Sequence, residues 1–163
     1  MRAMRLKKRE ITDQATLREI VEKSAVVRIG VADEDGIFVI PLNFGYDWTI
    51  KKTGEPEWKI YIHSAQKGRK ADAFRKHPVV AIEMDIERGV ITGEYSCAYS
   101  CSYQSIMGSG KIRLLTEKEE KLHGLEKIME HMAPDADIRF ETNMIEAADV
   151  YCIDVTSFTG KER

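Results

Sequence analysis

The stretch IYIHSAQKGRKADAFRKHP (Ile60–Pro78) changes its period halfway along. Its opening residues complete an apolar, β-branched and aromatic run, WKIYIHS (Trp58–Ser64), which reads as a strand. Gly68 to Lys76 reads instead as a short helix, ended by Pro78. VVAIEMDI (Val79–Ile86) then resumes as a strand. Towards the N-terminus, AVVRIGVA (Ala25–Ala32) and IFVIPLNFGY (Ile37–Tyr46) are strands joined by the turn DEDG (Asp33–Gly36), and Asp-Gly between apolar runs signals a hairpin. TGEP (Thr53–Pro56) marks the next turn. Towards the C-terminus, a loop is expected at Gly89–Gly93. A bent strand follows, YQSIMGSGKIRLL (Tyr103–Leu115), in which Gly108 and Gly110 suggest a bulge or a close backbone approach. A last strand is DVYCIDV (Asp149–Val155), with a polar tail TSFTGKER behind it.

Two longer helices complete the pattern. Thr12 or Asp13 caps one whose apolar residues are Leu17, Ile20 and Val21. Thr116 with Glu119 forms a capping-box sequence for another, which carries Leu122, Leu125, Ile128, Met129 and Met132 on one stripe and stops before Pro134. Six strands, with helices inserted and no β-α-β-α alternation, imply a mainly β fold with peripheral helices, built as a six-stranded antiparallel barrel. One domain spans residues 1–163: an N-terminal arm and helix over 1–24, then a barrel with inserted helices over 25–163.

Composition narrows the function classes. A net charge of −2 gives no general attraction to nucleic acid or anionic membrane, so anion binding must come from local clusters. The basic N-terminus MRAMRLKKRE leads into ITDQATL rather than an apolar segment, which argues against a secretory signal and for the cytoplasm. Read as a nucleic-acid arm it has no other support in the chain, and a solvated or partner-docking tail is the simpler reading. No apolar run is long enough to span a bilayer. Cys97, Cys101 and Cys152 are an odd set, expected to be reduced thiols acting as small apolar residues. A zinc site would need more Cys or His near Cys97 and Cys101, so no metal is expected. No dinucleotide or P-loop fingerprint follows a strand, and GSGK at residues 108–111 is too short to be one.

Chemistry concentrates in the opening stretch. Lys67, Arg69 and Lys70 gather where a helix begins, although the positive end of the helix dipole prefers acids. An anion among them, held by exposed N–H groups, the cations and the Ser64 hydroxyl, resolves the conflict. From charge alone, a solvated basic turn explains the cluster more simply.

Four segments, IPLNFGY (Ile40–Tyr46), Ile60–Pro78, YQSIMGSGKI (Tyr103–Ile112) and FTGK (Phe158–Lys161), occur in an order that resembles the pyridoxamine-phosphate-oxidase-like FMN-binding split-barrel superfamily, and within it the Nim-type nitroimidazole-resistance group. The resemblance implies a split barrel, bound FMN and a homodimer with cofactor sites at its interface. By motif match, Pro41, Leu42 and Asn43 would line the isoalloxazine edge. His63, Ser64, Lys67, Gly68, Arg69 and Lys70 would surround the phosphate side, and Tyr103, Gln104, Ser105 and Ile106 would reach in from the partner. His63, in the HSA motif, would lie near the flavin and is the candidate catalytic residue; as a lone strand-end histidine it is equally a satisfied polar residue. The implied activity is FMN-dependent reduction of a small oxidised substrate, of nitroreductase type. The alternative is a non-catalytic carrier of FMN or haem, and the superfamily also includes deazaflavin users. Trp48 and Trp58 are expected to pack in the barrel or its interface, His77 to cap a helix, and His123 and His131 to lie at surface or edge positions. Glu83 has no evident partner.

Overall fold

In the computed structural model, which describes residues 4–163, the chain forms eight strands and four α-helices. They run β1 (Glu10–Ile11), α1 (Gln14–Lys23), β2 (Val27–Asp33), β3 (Gly36–Leu42), β4 (Gly45–Ile50), β5 (Pro56–Ser64), α2 (Arg69–Lys76), β6 (Val79–Ile91), β7 (Ser100–Leu114), α3 (Lys118–Met132), α4 (Thr142–Ala147) and β8 (Asp149–Glu162). One antiparallel sheet has the order β3-β2-β6-β7-β8-β5-β4, with β1 added to the end of β8. The mainly β class with peripheral helices holds, and the sheet is an open, split barrel whose two edges, β3 and β4, are joined at Asn43–Phe44.

The strand number is eight rather than six. The expected strand Ile37–Tyr46 divides because the chain turns a corner at Asn43–Phe44 to pass from one sheet edge to the other, burying Phe44 completely. His131 of α3 ties that corner down: its Nδ1 lies 2.9 Å from the Phe44 carbonyl oxygen and its Nε2 3.1 Å from that of Glu22 in α1. It is therefore a tether between three elements rather than a free surface residue. Gly45 follows, packed flat against the backbone of α3, where a Cβ would lie 2.1 Å from the Lys127 carbonyl carbon.

Two loop readings also change. Gly89, at φ +108°, sits at a register shift inside the β6–β7 ladder, so the strand runs on to Ile91 where a loop was expected. A glycine bulge absorbs the extra residue without ending the pairing. The C-terminal tail joins the sheet, since β8 continues to Glu162 with β7 on one side and β1 on the other. The expected bulge in β7 is present between Ser109 and Gly110, and a Cβ on Gly108 would lie 2.6 Å from the Ser157 carbonyl oxygen.

The helices follow their apolar stripes. Asp13 caps α1, accepting from the Thr16 N–H at 2.8 Å, while Leu17, Ile20 and Val21 are buried. The capping box of α3 does not form: Glu117 is its N-cap residue and Thr116 turns its hydroxyl towards Glu117 instead. Helix α4 has no strong sequence signal and buries Ile145 alone. His77 closes α2 through its backbone N–H.

Burial explains why β5 and β8 are apolar almost throughout. Ile60, Ile62, Tyr151 and Ile153 face the barrel core, and the intervening Tyr61, Val150 and Cys152 pack beneath α3 with Leu125 and Ile128. Successive strand residues point to opposite faces, and here both faces are covered. Trp58 is buried with Trp48 at 5.3 Å and Phe158 at 5.2 Å, the packing role expected. By contrast the outer face of β3, β6 and β7 carries bare apolar side chains: Ile37 is 83% exposed, Val39 61%, Val79 65% and Met107 63%. Cys97 and Cys101 are exposed and only Cys152 is buried, so the small-apolar reading applies to one of three.

Candidate functional site

Strand β5 delivers two different side chains at its end. Ser64 is buried, and its hydroxyl donates to the Ala65 carbonyl at 3.0 Å. His63, one residue earlier, lies exposed on the opposite face, across from Val150 of β8. The chain then turns through Gly68, whose φ of +119° is left-handed territory that a side chain resists. No side chain caps the α2 N-terminus that follows, so its first N–H groups have no side-chain acceptor there. Lys67 and Lys70 flank this end, and among the described residues neither forms a salt bridge.

Arg69 behaves differently from its neighbours. Its Nε donates to Asp33 Oδ2 at 2.7 Å and a terminal nitrogen donates to Oδ1 at 3.0 Å, a two-pronged grip on the β2–β3 turn. The guanidinium also lies 4.1 Å from the centroid of the Phe38 ring. Hydrogen bonding to Arg69 holds the Asp33 carboxyl below its ordinary range, so the pair persists as pH falls until that lowered value is passed. The three cations that cluster in sequence are thus split by the fold into two free lysines and one committed arginine.

Arg75, which the sequence did not mark, braces the same loop from behind. It donates to the Gln66 carbonyl at 2.7 Å and to Asp149 Oδ2 at 3.1 Å, tying α2 to the start of β8. Only the tertiary fold brings residues 66, 75 and 149 together, so their spacing carries no signal.

The other expected residues stand apart from this turn. Pro41 and Leu42 end the edge strand β3, opposite Arg28 and Val27. Pro41 and Asn43 are exposed and Leu42 is half-buried. Beside Pro41, Arg28 binds Glu83 at 2.9 Å and also reaches Asp85, which supplies Glu83 with the partner the sequence lacked. Burial nevertheless raises the Glu83 carboxyl above its ordinary value. Along β7 the side chains alternate: Gln104 and Ile106 are buried, whereas Tyr103 and Ser105 are half-exposed on the other face. Ile106 belongs to the core and can offer a ligand only its backbone. Pro41 and Met107 share a row through Arg28 and Glu83, three strand spacings or roughly 14 Å apart.

Among the described residues of one chain, then, the expected residues lie on separate surfaces, and Arg69 lines a small cleft of about 170 Å³ with Asp33, Asp72 and Lys76. The larger clefts lie elsewhere. One of about 460 Å³ is lined by Arg18, Tyr46, Lys127 and His131 among others, and one of about 810 Å³ by Ile11, Gln14, Leu17 and Phe158 among others. A smaller cleft of about 260 Å³ includes His123 and Tyr61 in its wall. Both reach Asp47 Oδ2 at 2.8 Å, and His123 is exposed, in keeping with the surface or edge position expected of it. Among the described residues there is no cluster of three or more His, Cys, Asp or Glu side chains placed to hold a metal. No helix there is long and apolar enough to cross a membrane.

The family model described as pyridoxamine 5'-phosphate oxidase matches residues 13–162. No match is found among curated protein sequences. Solved structures do match. A candidate 5-nitroimidazole antibiotic resistance protein from Bacteroides thetaiotaomicron is 26% identical with a TM-score of 0.78, over 94% of this chain and 86% of that one. The flavocytochrome Anf3 from Azotobacter vinelandii is 18% identical with a TM-score of 0.77, over 99% and 72%. An FAD- and heme-binding protein from Mycobacterium smegmatis is 14% identical with a TM-score of 0.77, over 94% and 73%. The last two likenesses establish a shared fold.

Proposed function

Because the chain belongs to the pyridoxamine 5'-phosphate oxidase family, we propose that it binds FMN and acts as an oxidoreductase on a small oxidised substrate, with nitroaromatic compounds as the first class to test. The observation that carries the reading is the uncapped start of α2 with Lys67 and Lys70 free beside it, a fitting seat for a phosphate. The 26% identity to a candidate nitroimidazole-resistance protein supports the choice of substrate class.

In this reading the α2 N–H groups, Lys67 and Lys70 hold the phosphate, Gly68 sets the turn that aims those N–H groups, and Arg75 fixes the loop. Arg69 serves as a latch on the β2–β3 turn. Pro41 and Asn43 offer an exposed edge to the ring. Bound FMN supplies the two-electron chemistry. His63, exposed at the strand end, is placed to hold or give a proton.

A second copy of the chain completes the site. The expected residues lie on separated surfaces of one chain, and the bare apolar side chains Ile37, Val39, Val79 and Met107 share the outer sheet face with Tyr103 and Ser105. Exposed apolar area of this kind marks an interaction surface. Met107→Glu is expected to shift the protein from dimer to monomer in sedimentation and to lower flavin content with it. A variant that stays dimeric would move the interface elsewhere.

The activity test is optical. Flavin-loaded protein bleached by dithionite is expected to regain its colour when a nitroaromatic compound is added without oxygen. Bleaching with no recovery for any nitro compound tried would leave a flavin carrier. His63→Ala is expected to retain FMN and to slow the recolouring by about a hundredfold or more, in line with general-acid contributions. Unchanged kinetics would remove His63 from the chemistry.

A further inference from the structure

The two contacts of His131 set a proton count. Its Nδ1 lies 2.9 Å from the Phe44 carbonyl oxygen and its Nε2 lies 3.1 Å from the Glu22 carbonyl oxygen. A carbonyl oxygen only accepts, and a neutral imidazole carries one N–H and one lone pair. A neutral ring therefore satisfies one contact and sets a lone pair against an oxygen in the other. Only the imidazolium, with an N–H at both positions, makes both bonds.

The surroundings favour the cation on separate grounds. The Glu22 carbonyl is among the last four of α1, which no N–H inside that helix can reach. His131 itself sits in the last turn of α3. Two helix C-termini, each with partial negative charge, thus meet at one ring, and a cation is the group they stabilise. The Phe44 and Tyr46 rings lie 4.3 and 5.4 Å away, centroid to centroid, inside the reach of about 6 Å over which aromatic rings attract cations.

The charged side chains that share its cleft nearly cancel. Arg18 and Glu22 come from α1, Asp47 from β4, and Lys127 and Glu130 from α3, with the Tyr46 phenol of β4 beside them. Lys127 binds Glu130 at 2.7 Å, and Asp47 is taken up by Tyr61 and His123. The two carbonyl oxygens therefore decide the proton count.

We propose that His131 is a positioning residue: as an imidazolium it holds the Asn43–Phe44 corner to α1 and α3, and loss of one proton frees the corner and the Pro41–Asn43 edge that runs into it. The consequence for flavin rests on the function proposed above, and the lock itself does not. Stability from the second proton is present at low pH and is lost as pH rises through the range in which histidines titrate, about pH 5 to 8.

The test uses the full chain without flavin, labelled with ¹⁵N and ¹³C, in its original form and as His131→Gln. Glutamine lacks the charge and can still donate to one carbonyl, as the neutral ring can. At about pH 5 both His131 ring nitrogens are expected to carry hydrogen. As pH rises one of them loses it, while the carbonyl signal of Phe44 or Glu22 shifts in step. Between about pH 5 and pH 8 the unfolding constant of the original chain is expected to rise at least about tenfold more than that of His131→Gln, the weight of one charge-assisted hydrogen bond. A ring with one proton at the acid end, carbonyl signals that ignore the titration, or equal pH dependence in both chains would overturn the proposal. Should His131→Gln fail to fold, the spectra of the original chain decide. FMN affinity is expected to fall across the same range by a larger factor in the original chain than in His131→Gln, and equal factors would confine His131 to stability and overturn its positioning role. A titrating corner in a chain that takes up no FMN would sink the flavin reading and leave the lock standing. FMN binding with a corner that does not titrate would do the reverse.

Discussion

Replacing Lys67 and Lys70 together by alanine is expected to lower the affinity for FMN by a hundredfold or more, while Arg69→Ala changes it by less than about threefold. The first figure follows from two charge-assisted contacts of roughly 1.5–3 kcal/mol each, at 1.4 kcal/mol per factor of ten. The contrast follows from the structure, because both prongs of the Arg69 guanidinium are taken by Asp33 and its face lies on Phe38. Quenching of flavin fluorescence on titration measures both. Should Arg69→Ala prove the more damaging change, the Asp33 latch must open when the phosphate arrives, and the division of labour drawn here is reversed.

The second large effect is on stability. Gly45→Ala places a methyl group 2.1 Å from the Lys127 carbonyl carbon and 2.3 Å from the Ile128 nitrogen. These are backbone atoms in the middle of α3, so no side chain can swing aside. Either the helix or the corner at Asn43–Phe44 must shift, at a cost of roughly 3 kcal/mol, the upper part of the range for overpacked sites. Urea denaturation measures this as a lower midpoint with an unchanged slope. The Pro41–Asn43 edge moves with the corner, so flavin affinity is expected to fall as well. A loss under about 0.5 kcal/mol would mean that α3 is not seated against Gly45 as described.

The sequence carried the fold class and most elements because period and turn chemistry are local. Asp-Gly before Ile37, the apolar stripe of α1 and the bulge glycines of β7 all read correctly from a few neighbouring residues. It failed where pairing across the sheet decides. The tail Thr156–Glu162 looks polar and loose, yet β7 and β1 on either side extend β8 through it. Gly89 looks like a loop, yet the β6–β7 ladder continues past it. The candidate site shows the same limit. The turn around Gly68 was legible from charges placed at a helix start. The commitment of Arg69 to Asp33 and the brace from Arg75 to Gln66 and Asp149 were not, because those partners lie 36, 9 and 74 residues away in sequence.

The central claim is that this chain seats FMN at the start of α2, and a titration of the purified protein with FMN meets it most directly. The expected result is saturable binding near one flavin per chain, seen as shifted visible bands and quenched fluorescence, with mass spectrometry identifying FMN as the released ligand. Binding should be lost in the Lys67→Ala, Lys70→Ala double variant while circular dichroism stays unchanged. A folded protein that takes up no FMN, or a double variant that binds it as tightly as the original, would contradict the claim.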